Sequence, residues 1–211
     1  MYCSDRLPPM SLAGCEKVPS TVAGQESWVP LSSMPLGGRL SSMRERHMSE
    51  AEHLADALRG LFSNPRHGWF TPFSISTEGL SAVQASSVPA DGFNSVWGVV
   101  NHVRFWQDSV RLHLQGATVD RSALGAEDGW PPVEDRQSED AWGAARSAAL
   151  ESNEALAGCV ADLNDASLGE PYHEGRALRS QLINGVIGHN CYHACEIITI
   201  RHMLGLWLAR T

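Results

Sequence analysis

The stretch Gly188-His189-Asn190-Cys191-Tyr192-His193-Ala194-Cys195 sets two histidines four residues apart and two cysteines four residues apart. Imidazole nitrogens and thiolates are common protein ligands of borderline and soft metal ions, so either pair is a candidate for ligation. A helix advances about 100° per residue, which puts positions i and i+4 on one face, about 6 Å apart along the axis. His189 and His193 therefore project together, on a stripe shared with Leu182, Val186, Ile197 and Ile200. Imidazoles on such a stripe point toward a core, where an unpartnered polar group costs about 1–3 kcal/mol. Hydrogen bonds to core polar groups or a bound metal ion would each satisfy them, and the pair alone leaves both readings open.

The cysteines do not extend that pair. Cys191 follows His189 by two residues and Cys195 follows His193 by two, about 200° around the helix, so neither shares a single ion with the histidines. Both are expected to serve as small packing residues. A third ligand has to come from another helix. His102 lies on the stripe Val99, His102, Phe105, Trp106 and Ser109, well inside a segment with a clear apolar face. His113 shares its rotational position but stands about 16 Å further along the axis. His202 is rotated away from His189, His47 and His53 lie at the start of the first helix, and His67 and His173 fall in connections. His173 remains an outside candidate for a fourth ligand.

Other chemistries find no support. Asn190 stands where a zinc protease of H-E-x-x-H type has its glutamate. Of the Glu-x-x-His spacings a di-iron bundle needs on its long helices, Glu50-x-x-His53 stands at a helix start and Glu170-x-x-His173 falls in a connection. There is no G-x-S-x-G, and Gly37-Gly38 is no phosphate loop.

The elements that must position these residues read as helices throughout. Ser49 followed by Glu52 forms a capping box for a helix carrying Leu54, Ala57, Leu58, Leu61 and Phe62, ended by Asn64-Pro65. A shorter helical region is expected over Thr77–Ser86. Asn94-Ser95 caps a helix running through about Leu114 and closed by Gly116. A loop with Gly129-Trp130-Pro131-Pro132 follows. Ser138 opens a third long helix ending near Leu163, and a fourth is expected from about Leu178 to Leu208. Nothing reads as a strand, and four long helices so connected predict an all-α four-helix bundle. Residues 1–42, rich in Ser, Pro and Gly, read as a disordered or loosely attached tail, with the folded domain over 43–211.

Two motifs carry a family resemblance. The stretch Asn94–Trp106, NSVWGVVNHVRFW, and the stretch Gly188–Trp207, GHNCYHACEIITIRHMLGLW, resemble the histidine-bearing helices of the DinB-like (DinB/YfiT) superfamily of metal-dependent enzymes. The likeness covers roughly residues 48–208. The family usually reads Y-H-x-G-Q where this chain has Tyr192-His193-Ala194-Cys195-Glu196. The resemblance implies that His102, His189 and His193 bind a divalent metal, with Zn or Ni suited to nitrogen ligands. It also implies an up-down-down-up bundle and a homodimer. Glu196, three residues after His193, is a candidate to orient that ring. Trp97 and Trp106 are candidates to wall a pocket, as are Trp69 and Phe70.

Three imidazoles leave a divalent ion with open positions, the mark of a catalytic site. Relatives implied by the resemblance include transferases that join bacillithiol or mycothiol to electrophiles. The expected function is accordingly a metal-dependent thiol S-transferase acting on a small electrophile. A metal-dependent hydrolase and a non-catalytic metal-binding stress-response protein are the alternatives. A net charge of −8, with Lys17 the only lysine, argues against a nucleic-acid partner. Five cysteines in no framework spacing point to a reducing cytoplasm. Leu12-Ala13-Gly14-Cys15 matches a lipoprotein cleavage box but lacks the apolar run before it, and no segment has the roughly 20 apolar residues of a spanning helix.

Overall fold

In a computed structural model of the chain, the described residues are 47–64, 69, 71–173 and 177–208. The expected tail over 1–42 and the pocket candidate Phe70 lie outside them. Among these residues there are seven α-helices and no strand. They are α1 (Glu50–Ser63), α2 (Phe73–Ser76), α3 (Ala82–Ser86), α4 (Val96–Leu114), α5 (Glu139–Ala161), α6 (Asp165–Leu168) and α7 (Arg179–Met203). The four long helices form a bundle in which α5 packs on α1 and α4, and α7 packs on the same two. No helix among the described residues is long and apolar enough to cross a membrane.

Local chemistry sets the helix ends. Ser49 accepts from the Glu52 backbone N–H while the Glu52 carboxylate accepts from that of Ser49, the reciprocal capping box. Ser95 and Ser138 cap α4 and α5 by accepting from Gly98 and Ala141. The helix expected over Thr77–Ser86 is instead two short ones. Gly79 takes a positive φ of 71° between them, and Ser81 and Gln84 form a second capping box that starts α3 afresh. The last helix stops at Met203 rather than Leu208. There Gly205 has φ +74°, its N–H donates to the His202 carbonyl at 3.1 Å, and that of Leu206 donates to the Arg201 carbonyl at 2.8 Å. This paired pattern is a Schellman motif, which satisfies the last carbonyls and ends the helix. Gly116 closes α4 in the same way.

The apolar core comes in two clusters. One gathers Phe62, Phe73, Trp97, Val100, Trp142, Ile197 and Ile200. The other gathers Leu58, Val110, Leu114, Leu156, Val160, Ile183 and Val186. Burying each Leu, Ile or Phe contributes about 1.5–3 kcal/mol. The Phe62 and Phe73 rings stack at 4.4 Å between centroids. On α1 the buried face is Ala51, Ala55, Leu58 and Phe62, and the expected Leu54, Ala57 and Leu61 are only half-buried. Between the clusters, at one level of the bundle, sit the buried amides Gln107 on α4, Asn153 on α5 and Asn190 on α7. The histidines His102, His189 and His193 sit on α4 and α7 beside that level.

Candidate metal centre

The helical rotation that set His189 and His193 on one face holds, and α7 lies against α4 so that His102 meets them. The Nε2 atom of His189 is 3.2 Å from Nε2 of His102 and 3.1 Å from Nε2 of His193. These three are a group of possible ligands whose donor atoms all lie within 4.8 Å of one another. His102 and His193 are buried and His189 half-buried.

The opposite nitrogen of each ring decides what the converging nitrogens can do. His102 Nδ1 is 2.7 Å from the Gly129 carbonyl oxygen. A carbonyl only accepts, so that Nδ1 carries the proton and Nε2 keeps its lone pair. His193 Nδ1 lies 2.6 Å from Oε2 of Glu196, whose other oxygen accepts from the Asn94 amide at 2.9 Å. Those two hydrogen bonds, the His193 one foremost, hold the Glu196 carboxyl below its usual range although burial opposes them. It is therefore a carboxylate, and His193 Nδ1 is also a donor. Nε2 of His102 and Nε2 of His193 are thus both acceptors, and His189 between them can donate to one at most.

Protonating a ring would relieve the crowding, but the surroundings resist it. Burial pushes His102 down against the opposing pull of the Gly129 carbonyl. Burial, followed by the two neighbouring imidazoles, lowers His189 to about 4. Three ring nitrogens facing one point, two of them presenting lone pairs, suit a cation. Imidazole nitrogens about 2.0–2.1 Å from a common ion stand about 2.9 Å apart at right angles and about 3.3 Å apart at the tetrahedral angle. The observed 3.1 and 3.2 Å fall between those two limits. The donor set fits a divalent metal ion.

A protein-family model matches the part of the chain that carries these residues. The model described as the DinB superfamily matches residues 73–197, more than half of the chain. The chain belongs to the DinB superfamily. No curated protein and no solved structure gives a significant match.

Beside the site, this DinB-superfamily protein has a cavity of about 430 Å³ with His189 and Trp106 in its wall. Val110, Leu182 and Val186 make much of the rest, and Tyr172, Ala177, Gln181 and Gly185 complete it. The Arg121 guanidinium lies over the Trp106 ring, 5.1 Å from its centroid.

Not every expected residue arrives at the site. Trp97 is buried in the core against Trp142, with ring centroids 5.5 Å apart, and does not line the cavity. Trp97 and Trp106 are nine residues apart, about 180° around the helix, so they could not have walled one pocket. Trp69 is exposed. His173 is exposed and outside the three-histidine group. Cys195 is exposed rather than packed, while Cys191 is half-buried and lines a small cavity with Leu58 and Phe62.

The structure also adds residues. Trp130 stacks on His102 with centroids 3.7 Å apart and planes 15° apart. Its loop is held by Asn101, whose amide donates to the Pro131 and Pro132 carbonyls at 3.4 and 3.2 Å. Gly129 presents its carbonyl from a backbone with φ +82°, packed so closely on Trp106 and Phe105 that a Cβ would come within 3.2 Å of the indole. The sequence signal for that loop was a Gly followed by Trp-Pro-Pro, which marks a turn but not its target.

Proposed function

We propose that this protein is a divalent-metal-dependent enzyme, a thiol S-transferase that joins a low-molecular-weight thiol of bacillithiol or mycothiol type to a small electrophile. The observation that carries this reading is the convergence of three imidazole nitrogens beside an apolar cavity open to solvent. His102, His189 and His193 would hold zinc or nickel, both of which suit nitrogen ligands. When bound there, a divalent ion supplies the Lewis acidity that favours the ionised, nucleophilic form of a thiol.

The chain's own groups do the rest. Glu196 holds the His193 ring, and both of its oxygens are engaged, so it acts as an acceptor and orienter rather than as a base for water. That engagement favours the transferase over a hydrolase, which needs a free general base near the attacking water. Trp106, Leu182 and Val186 offer an apolar wall that excludes water around an uncharged electrophile. The reading includes a homodimer and a reducing compartment. The unpaired thiols of Cys159, Cys191 and Cys195 support the latter.

The test is conjugation of a low-molecular-weight thiol to monochlorobimane. The metal-loaded protein is expected to accelerate it, the chelated protein is not, and His102→Ala is expected to lose most bound metal while staying helical. Equal rates with and without metal would overturn the transferase reading, and so would ester or amide turnover without thiol. Full metal occupancy in His102→Ala would overturn the ligand assignment.

A further inference from the structure

Two of the three histidines have an evident partner for Nδ1, and the third does not. His189 Nδ1 is buried and unpaired, and so are the side-chain oxygens of its neighbour Asn190 and of Gln107. Buried polar atoms without partners are rare, and each calls for a physical explanation.

The amide network fixes which way these groups face. Asn153 Nδ2 donates to the Leu58 backbone carbonyl at 3.1 Å, and a carbonyl can only accept. The Asn153 oxygen must therefore face the other way. There it receives Nδ2 of Asn190 and Nε2 of Gln107, each at 3.4 Å. Asn190 thus spends its NH₂ on Asn153, and its oxygen is left as an acceptor. His189 Nδ1 and Asn190 Oδ1 are thus two buried atoms on adjacent residues, one able to donate and the other only to accept, and neither has a partner. A side-chain rotation, or one bridging water, would join them.

We propose that Asn190 is the positioning residue for His189: its amide oxygen accepts the Nδ1 proton, which leaves the Nε2 lone pair aimed at the point the three rings share. The relay then runs one way, from His189 to Asn190 to Asn153 to the Leu58 carbonyl. Each bond polarises the next, and the chain ties a ring on α7 through α5 to the backbone of α1. It parallels the Gly129 carbonyl behind His102 and the Glu196 carboxylate behind His193. All three rings then present the same tautomer.

The inference rests on the metal-site reading for its effect on affinity, but the tautomer can be read without metal. Long-range ¹⁵N–¹H spectra of the metal-free protein should show His189 protonated at Nδ1 in the wild type and a mixture of tautomers in Asn190→Ala. Zinc competition against a chromophoric chelator should show Asn190→Ala binding about 10–100-fold more weakly, the usual effect of removing a ligand's hydrogen-bond partner. Asn190→Asp keeps an acceptor oxygen for His189 while giving up the donor to Asn153, and is expected to hold the wild-type tautomer; far-UV circular dichroism checks that each variant is folded. An unchanged tautomer in a folded Asn190→Ala, or a scrambled one in Asn190→Asp, would overturn the relay. Failure of the wild type to bind zinc would overturn the metal reading alone, since the tautomer comparison does not depend on it.

Discussion

Replacing Glu196 tests how far the carboxylate behind His193 governs the site. Its Oε2 is 2.6 Å from His193 Nδ1, the short separation of a charge-assisted bond, and its Oε1 accepts from Asn94. Glu196→Gln keeps an oxygen for His193 and removes the charge. A hydrogen bond to a charged group contributes about 1.5–3 kcal/mol and a neutral one about 0.5–1.5. The difference, about 1–1.5 kcal/mol, corresponds to roughly tenfold in metal affinity. Glu196→Ala removes the partner altogether and is expected to weaken binding about 10–100-fold. Chelator competition at pH 7.5 should therefore rank wild type tightest, Gln next and Ala weakest, with far-UV circular dichroism unchanged in all three. Equal dissociation constants across the series would show that the carboxylate does not tune the ring, and the argument from the Nδ1 partners would fail with it.

Two further substitutions probe other links. Gly129→Ala puts a Cβ within 3.2 Å of Trp106 on a backbone at φ +82°, and a left-handed conformation costs an ordinary residue roughly 1–2 kcal/mol. The expected drop in Tm is about 2–8 °C for a domain of this size, together with weaker metal binding as the carbonyl leaves His102; a variant matching wild type in both would refute the loop's role. Asp165 accepts from the backbone N–H groups of Ala51 and Glu50, each at 3.1 Å, and these bonds, Ala51 first, hold its carboxyl below the usual 3.8. Because the folded-state value is the lower one, its contribution is present above the unfolded value of 3.8 and is lost as pH falls through the folded value. Urea midpoints of wild type and Asp165→Asn are expected to differ at pH 7 and to converge as pH falls below 3.8, and a constant gap would contradict the assignment.

What could be read from the sequence was what depends on neighbours in the chain. The His189 and His193 pairing, the capping box at Ser49 and the end of α4 at Gly116 are local geometry, and each is present in the structure. The Schellman end at Gly205 was equally local, but the apolar Leu206-Trp207-Leu208 after it invited an extension of the helix. Trp97 and Trp106 were paired by type, although their rotation already separated them. Contacts across long stretches of chain left no pattern to find. Asn94 reaches Glu196 across 102 residues and Asn153 reaches Asn190 across 37, both from ordinary polar positions. The Gly129 carbonyl reaches His102 across 27 residues from a loop with no periodicity.

Those distant contacts explain why the site can be formed before any ion arrives. The His102 ring is fixed by a loop carbonyl and a stacked indole, and the His193 ring by a carboxylate itself held from Asn94. None of these anchors uses an Nε2 atom. Small zinc domains, by contrast, gain their fold from the metal because no packed core exists without it. Here two apolar clusters fold the bundle on their own account, and the rings meet because α4 and α7 pack. Binding an ion there would cost little reordering, so the energy of coordination would go into holding it. A structural zinc site is closed by four protein ligands, whereas the group among the described residues offers three.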